Sequence, residues 1–215
     1  MSMYCINHTK LLHLKLLLLA STLILSSCAG SPVNEHTSDN DTSAATSQEN
    51  IKSISVEELK KYKTALYAMR DSKLESAKTL LQEVILEHPI IAGPYANLGI
   101  IYYKQGDYDK SLKNLLTAIK LNPNNAYAHN TIAAIYLHKG KFSLSEKHLL
   151  EAVSKKQDYA KAHYNLALLY DIYFHKIRDS VYYYKKYLVI INNKGITDKK
   201  TVDWVEQLNN SLKKG

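Results

Sequence analysis

The feature that most constrains this chain is a period of 34 residues. Pro89 and Pro123 are one period apart, as are Gly106 and Gly140 and also Ala118 and Ala152. Tyr102, Tyr136 and Tyr170 keep the same step, and so do Ala92, Ala126 and Ala160. A period held on five independent tracks marks a stack of like units, each too small to bury its apolar face alone.

The unit Ala92 to Asn125 shows what each track does. Gly106 ends a first helix in a backbone conformation that side-chain-bearing residues resist. Asn122-Pro123 ends a second one, because the residue before proline disfavours the helical region. Gly99 and Ser111 are small enough for two antiparallel helices to approach closely, with larger side chains filling the space around them. In this unit Tyr95, Leu98-Gly99, Tyr102, Gly106-Asp107-Tyr108, Ser111, Leu115, Ala118 and Pro123 together resemble the tetratricopeptide pattern.

Residues 126–159 repeat the pattern with Ile132-Ala133, Tyr136, Gly140-Lys141-Phe142, Ser145, Leu149 and Ala152. His129 takes the aromatic slot there, and Gln157 stands for the closing proline. Residues 160–194 keep Leu166-Ala167 and Tyr170, lose the turn glycine, and gain one residue within Tyr173-Phe174-His175-Lys176 before Ser180, Tyr184 and Tyr187. Residues 58–91 keep Ala65, Ala77, Leu81 and Pro89 but lack the turn glycine and the tyrosine. Degenerate end units are expected where a stack must present a polar face. After Gly195, the pair Thr197-Asp198 is a good N-cap, and Val202, Val205, Leu208 and Leu212 share a helical face through Lys213. The resemblance therefore implies an all-α solenoid of about four hairpins around one continuous core, closed by a capping helix over residues 195–215 in which Trp204 takes part.

The N-terminus reads differently. Lys10 precedes a leucine-rich stretch whose clean apolar run, Leu16 to Leu25, is too short for a hydrocarbon core of about 30 Å. That layout is a secretory signal. It ends in Leu25-Ser26-Ser27-Cys28, which resembles the lipobox of bacterial lipoproteins. The resemblance implies cleavage between Ser27 and Cys28, acylation of Cys28 and loss of Cys5 with the signal. Ala29, which is not aspartate, implies sorting to the outer membrane, with the protein on its periplasmic face. Several acyl chains at about 0.8 kcal/mol per buried methylene make a lasting anchor. From Cys28 to residue 57 the chain is mostly small and polar and is expected to be a disordered tether, reaching about 25–30 Å.

Both cysteines lie in this segment, so no disulfide or thiolate site is expected in the folded part. The formal net charge is +8. Residues 1–57 hold three Lys and five acids, which leaves 25 basic against 15 acidic residues beyond them. Such a surplus attracts acidic protein, anionic lipid or nucleic acid, and export disfavours the last.

No phosphate loop, dinucleotide fingerprint, zinc-protease or nucleophile-elbow motif is present, so no catalysis and no metal or cofactor is expected beyond the lipid on Cys28. His129 and His163 stand one repeat apart in a packing slot with no carboxylate at ligand spacing. In Tyr182-Tyr183-Tyr184-Tyr187, spacing sends Tyr184 and Tyr187 inward.

In tetratricopeptide stacks the first helices of the hairpins line a concave groove. Carried onto this sequence, the groove holds Tyr62, Lys63, Arg70, Asn97, Tyr103, Lys104, Tyr127, Asn130, His138, Lys161, Tyr164 and Asn165. Asn amides suit an extended peptide backbone, tyrosines give flat contact area and lysines attract carboxylates. The expected partner is an extended or acidic segment of an envelope protein. Small lipoproteins of this layout serve pilus secretins, peptidoglycan enzymes or TonB-type systems, and Ala162 to Leu188 resembles those of the last group. The competing expectation is a peptidoglycan or polyanion binder acting through the basic surplus.

Overall fold

The computed structural model describes residues 55–213; the signal, Cys28 and all but the last residues of the tether lie outside them. Nine helices follow one another among the described residues. They are α1 (Val56–Arg70), α2 (Leu74–Glu87), α3 (Ala92–Gln105), α4 (Tyr108–Leu121), α5 (Ala126–His138), α6 (Phe142–Lys155), α7 (Ala160–Leu168), α8 (Ile177–Asn192) and α9 (Lys199–Leu212). The first eight pair into four antiparallel hairpins and α9 covers α8, giving a tetratricopeptide-type α-solenoid with a capping helix.

The helix ends follow from local chemistry. Ser55 and Glu58 form a reciprocal capping box at α1, the Ser55 amide donating to Glu58 Oε2 at 2.6 Å. That amide, the Ser55 hydroxyl and His88 at 2.8 Å hold the Glu58 carboxyl down at about 2. Asp107, Asn125 and Asp198 cap α4, α5 and α9 through their side-chain oxygens.

All four hairpin turns share one geometry, although only two carry glycine. Gly106 and Gly140 have φ of +82° and +70°, and Ser72 and His175 occupy the same slot at +60° and +53°. The following amide closes each turn onto an equivalent carbonyl: Lys73 onto Ala68, Asp107 onto Tyr102, Lys141 onto Tyr136 and Lys176 onto Tyr170. The last of these closures spans one residue more than the others. The inserted residue is absorbed upstream of the turn, where Leu169–Tyr173 widens to a π-helical turn and the Phe174 amide reaches back five residues to the Leu169 carbonyl. A left-handed β-carbon costs about 1–2 kcal/mol. His175→Gly is therefore expected to stabilise the array by about 1 kcal/mol, less the entropy that glycine loses, and to raise Tm by about 2–4 °C in a thermal melt.

The hairpins cross on small residues. Ser111 Oγ donates to the Gly99 carbonyl at 2.7 Å and Ser145 Oγ to Ala133 at 2.9 Å. Ser180, at the matching place of the last hairpin, is buried with no such partner.

The expected single core is instead four clusters. They centre on Leu81 and Ile101, on Leu115 and Ile132, on Leu149 and Leu166, and on Val181, Tyr184 and Val205. Each is shared between successive units, as neighbour-only stacking requires. All four clusters are built from residues of the nine helices and the π turn.

Both ends are closed. Pro94, Leu98 and Ile101 of α3 pack towards the preceding hairpin, and α1 offers Lys60, Thr64 and Tyr67 at those slots, all exposed. At the other end α9 buries Thr201, Val205 and Leu208, with Trp204 and Leu212 half-buried. Val202, expected on that face, is 45% exposed, because the buried stripe runs through 201, 204–205, 208 and 212, leaving 202 on the far side of the turn. Trp204 Nε1 donates to Asp171 Oδ2 at 2.8 Å, which ties the cap to the π turn. Tyr184 and Tyr187 are buried while Tyr182 is exposed.

Candidate functional site

The first helices α1, α3, α5 and α7 set their slots side by side, and the groove residues fall into three rows. In the middle row Asn97 Nδ2 donates to the Tyr62 hydroxyl at 2.8 Å, and Asn165 Nδ2 donates to Asn130 Oδ1 at 2.9 Å. Both bonds span 35 residues, so Asn97 and Asn165 do the same work two repeats apart, each reaching back to the preceding hairpin. Part of the amide capacity is thus spent in holding adjacent first helices in register. Asn130 is buried; Tyr62 and both donors are half-buried. Gly93 lies under Tyr62, where an added β-carbon would sit 2.5 Å from the phenol oxygen.

The row nearer the hairpin turns is aromatic. Tyr103 meets Tyr108 at 5.8 Å between centroids, and Tyr108 meets His138 at 4.4 Å. Burial, and then the neighbouring Tyr108, push the Tyr103 hydroxyl upward, so it stays a neutral donor. The opposite row pairs Tyr127 with Tyr159 at 4.8 Å; burial first and then Tyr127 push Tyr159 up to about 12. Tyr164 does not join these rows. It packs on Tyr184 and Tyr187, at 5.6 and 4.9 Å, beneath the capping helix. Tyr159 and Tyr108, which the sequence did not single out for this face, join it through ring contacts with Tyr127 and with Tyr103 and His138.

The cations stand apart from one another. Lys63, Lys104 and Lys161 are exposed with no carboxylate partner among the described residues, whereas Arg70 lies 3.1 Å from Asp71 and stacks over Tyr67. This face of the first helices therefore presents flat aromatic area, a few amide groups and, among the described residues, positive charge without a paired acid.

The histidines of the packing slot have a structural use. His129 Nε2 lies 3.2 Å from the Pro123 carbonyl and His163 Nε2 lies 2.9 Å from the Gln157 carbonyl, one repeat apart on both sides. Each ring thus satisfies a loop between hairpins. A carbonyl only accepts, so neutral His129 carries its proton on Nε2, and its Nδ1 accepts from His148 Nδ1–H at 3.0 Å. Burial, then the facing His129, lower His148 from 6.5 to about 4, and burial also lowers His129. An imidazole lowered on folding binds fewer protons folded than unfolded. Its stability contribution is present above pH 6.5 and is lost as pH falls towards 4. Discounted for the partial exposure of the ring, the loss is on the order of 1–2 kcal/mol. Urea midpoints at the two ends of that window should show it, and His148→Asn should shrink it.

Among the described residues no three His, Cys, Asp or Glu side chains converge as a metal site, and no helix is long and apolar enough to cross a membrane.

Comparison with known proteins agrees with this architecture. A family model described as TPR repeat matches residues 99–140. The Arabidopsis thaliana cell division cycle protein 27 homolog B is 39% identical over 69 residues, a match that covers 32% of this chain and 9% of that protein. Among solved structures, MamA from Desulfovibrio magneticus superimposes with a TM-score of 0.56 at 19% identity, over 74% of this chain and 98% of that one. The pilF protein of Pseudomonas aeruginosa gives 0.62 at 16% identity, over 73% and 69% of the two chains. At these identities the likeness is one of fold.

Proposed function

We propose that this protein is a non-catalytic adaptor, held at the periplasmic face of the outer membrane by acyl chains on Cys28, whose groove binds an extended acidic segment of an envelope protein. The observation that carries the reading is that exposed Lys63, Lys104 and Lys161, none of them in an ion pair with a carboxylate among the described residues, stand one in each row of an aromatic and amide surface. A carboxylate arriving there meets positive charge without displacing an internal partner, and the tyrosines supply contact area at low entropic cost. The export signal and lipobox give the setting, and a tether of some 25 residues lets the array sweep a zone of about 25–30 Å. The machine served is of the kind that pilus secretins, peptidoglycan enzymes or TonB-type systems represent.

In-cell crosslinking of the tagged full-length protein, followed by mass spectrometry, tests this reading. A defined envelope partner is expected with the natural sequence. It should fall at least about tenfold with Lys104→Glu combined with Lys161→Glu, since reversing charges at a rim mainly slows encounter. Cys28→Ser should leave the array folded but release it from the membrane fraction. Capture of peptidoglycan alone, equally by both groove forms, would move the polyanion reading ahead.

A further inference from the structure

The two long edges of the array differ in kind. At the edge of the hairpin turns, neighbouring hairpins are joined by polar contacts: Gln105 donates to Glu75 at 2.8 Å and Lys139 to Asp109 at 2.6 Å, one repeat on. At the other edge, where the chain passes from hairpin to hairpin, stand all the aliphatic side chains more than half exposed among the described residues. They are Val56 at 86%, Leu86 at 83%, Val189 at 58%, Ile90 at 57% and Ile196 at 54%. Single exposed aliphatics are ordinary, but their confinement to one edge is not.

The apolar character is densest at the C-terminal corner. There Val189, Ile196 and Val202, with Leu188 and Ile191 behind them, line an open cleft of about 200 Å³. Lys120, Lys161, Lys194, Lys199 and Lys200 stand along the same edge, none within ion-pair distance of a carboxylate among the described residues, although the Lys194 charge is felt at Asp158. The acids nearby are largely engaged. Asp158 pairs with Lys156 at 2.8 Å, and Asp198 accepts from Thr201 and Tyr187. Asp203, exposed beside Val202, is the exception.

Exposed aliphatics framed by unpaired lysines match one surface chemistry. The side chains enter the boundary between headgroups and acyl chains, while the lysine stems lie along it and their ammonium groups meet phosphates. We propose that this edge, led by Val189, Ile196 and the lysines at 194, 199 and 200, rests on an anionic lipid surface. The chain also enters the array at this edge, at Ser55, so an anchor upstream would bring this side to the bilayer first. That setting rests on the proposed lipidation of Cys28; the chemistry of the edge does not.

The test uses the chain from Ala29 to Gly215, which lacks both cysteines and so the proposed lipid, and retains all nine helices and the four core clusters. Flotation with phosphatidylglycerol vesicles is compared with phosphatidylcholine vesicles. Binding is expected to the first and to be at least about tenfold weaker to the second. Lys194→Gln, Lys199→Gln and Lys200→Gln together should lower partition on the order of a hundredfold, and Val189→Ser with Ile196→Ser about tenfold. Circular dichroism confirms that these surface variants remain folded. An Ile196→Cys chain carrying a polarity-sensitive dye should shift to the blue only with the anionic vesicles. No flotation, or flotation that ignores both sets of substitutions, overturns the proposal and leaves the edge to a protein partner. Neither result bears on Cys28, whose lipidation is read separately from the membrane fraction.

Discussion

Gly99→Val is expected to destabilise the array by about 3–4 kcal/mol and to lower Tm by about 10 °C. An ideal β-carbon at Gly99 would lie 2.6 Å from Leu115 Cγ, 2.9 Å from Cδ2 and 3.2 Å from the Leu115 backbone nitrogen. The last contact matters most, because a side chain can turn away and a helix backbone cannot. Leu115 is fully buried, so it has nowhere to go. Forcing α3 and α4 apart also stretches the 2.7 Å bond from Ser111 to the Gly99 carbonyl, and a buried bond of that kind is worth about 1 kcal/mol.

The repeat supplies the control. Ala65, Ala133 and Ala167 hold the same slot in the other hairpins, so Gly99→Ala asks only for a spacing the fold already uses. It meets the same β-carbon contacts but adds no γ-methyl groups, so it should cost about 1–2 kcal/mol, partly offset by alanine's better helix propensity. Urea melts of the three forms decide the matter. Because the array is stacked neighbour on neighbour, hydrogen exchange should rise first in residues 92–121. Equal melts for glycine and valine would mean that α3 and α4 are not in this contact.

The second large effect lies at the other end. Tyr184→Ala is expected to cost about 3–5 kcal/mol and to loosen the capping helix. Tyr184 is 1% exposed and packs among Ala167, Val181, Val205 and Leu208, with the Tyr164 ring edge-on at 5.6 Å. Its removal leaves a cavity at the seam between α8 and α9, and Trp204, which bonds Asp171, loses the neighbour against which it packs. Tyr184→Phe isolates the hydroxyl. That group is 3.5 Å from Asp171 Oδ2, at the limit of a hydrogen bond, so the substitution should be worth less than about 1 kcal/mol. Burial first, and then the Asp171 charge, push the phenol far upward, so it stays neutral at any working pH. Tyr182→Ala, two residues away but exposed, should fall within about 0.5 kcal/mol. If Tyr182→Ala and Tyr184→Ala melted alike, the cap would not be held by this seam.

These expectations divide between what is local and what is not. The period of 34, the hairpin count, the crossing at Gly99 and Ser111 and the burial of Tyr184 over Tyr182 were legible in the sequence. Helical rise and periodicity are properties of the backbone itself, and they write themselves into spacing. The last unit's extra residue was legible too, but its placement was not. An insertion can bulge at any point of a helix, and packing of α7 against α8 placed it at Leu169–Tyr173, leaving His175 in the left-handed slot that glycine fills in the two middle hairpins.

Side-chain choices across hairpins were hidden more deeply. That Asn97 reaches Tyr62, that Asn165 reaches Asn130, that His129 and His163 serve loop carbonyls and that Trp204 finds Asp171 all depend on the rotation between successive units. A slot fixes which way a residue faces; only the superhelix fixes what it meets there. The sequence by itself determined the units, their order and the apolar stripe of each. The tertiary structure decided which polar groups bridge neighbours, which lysines remain unpaired, and that the most exposed aliphatics share one edge, because those are distances between units that no spacing within a unit contains.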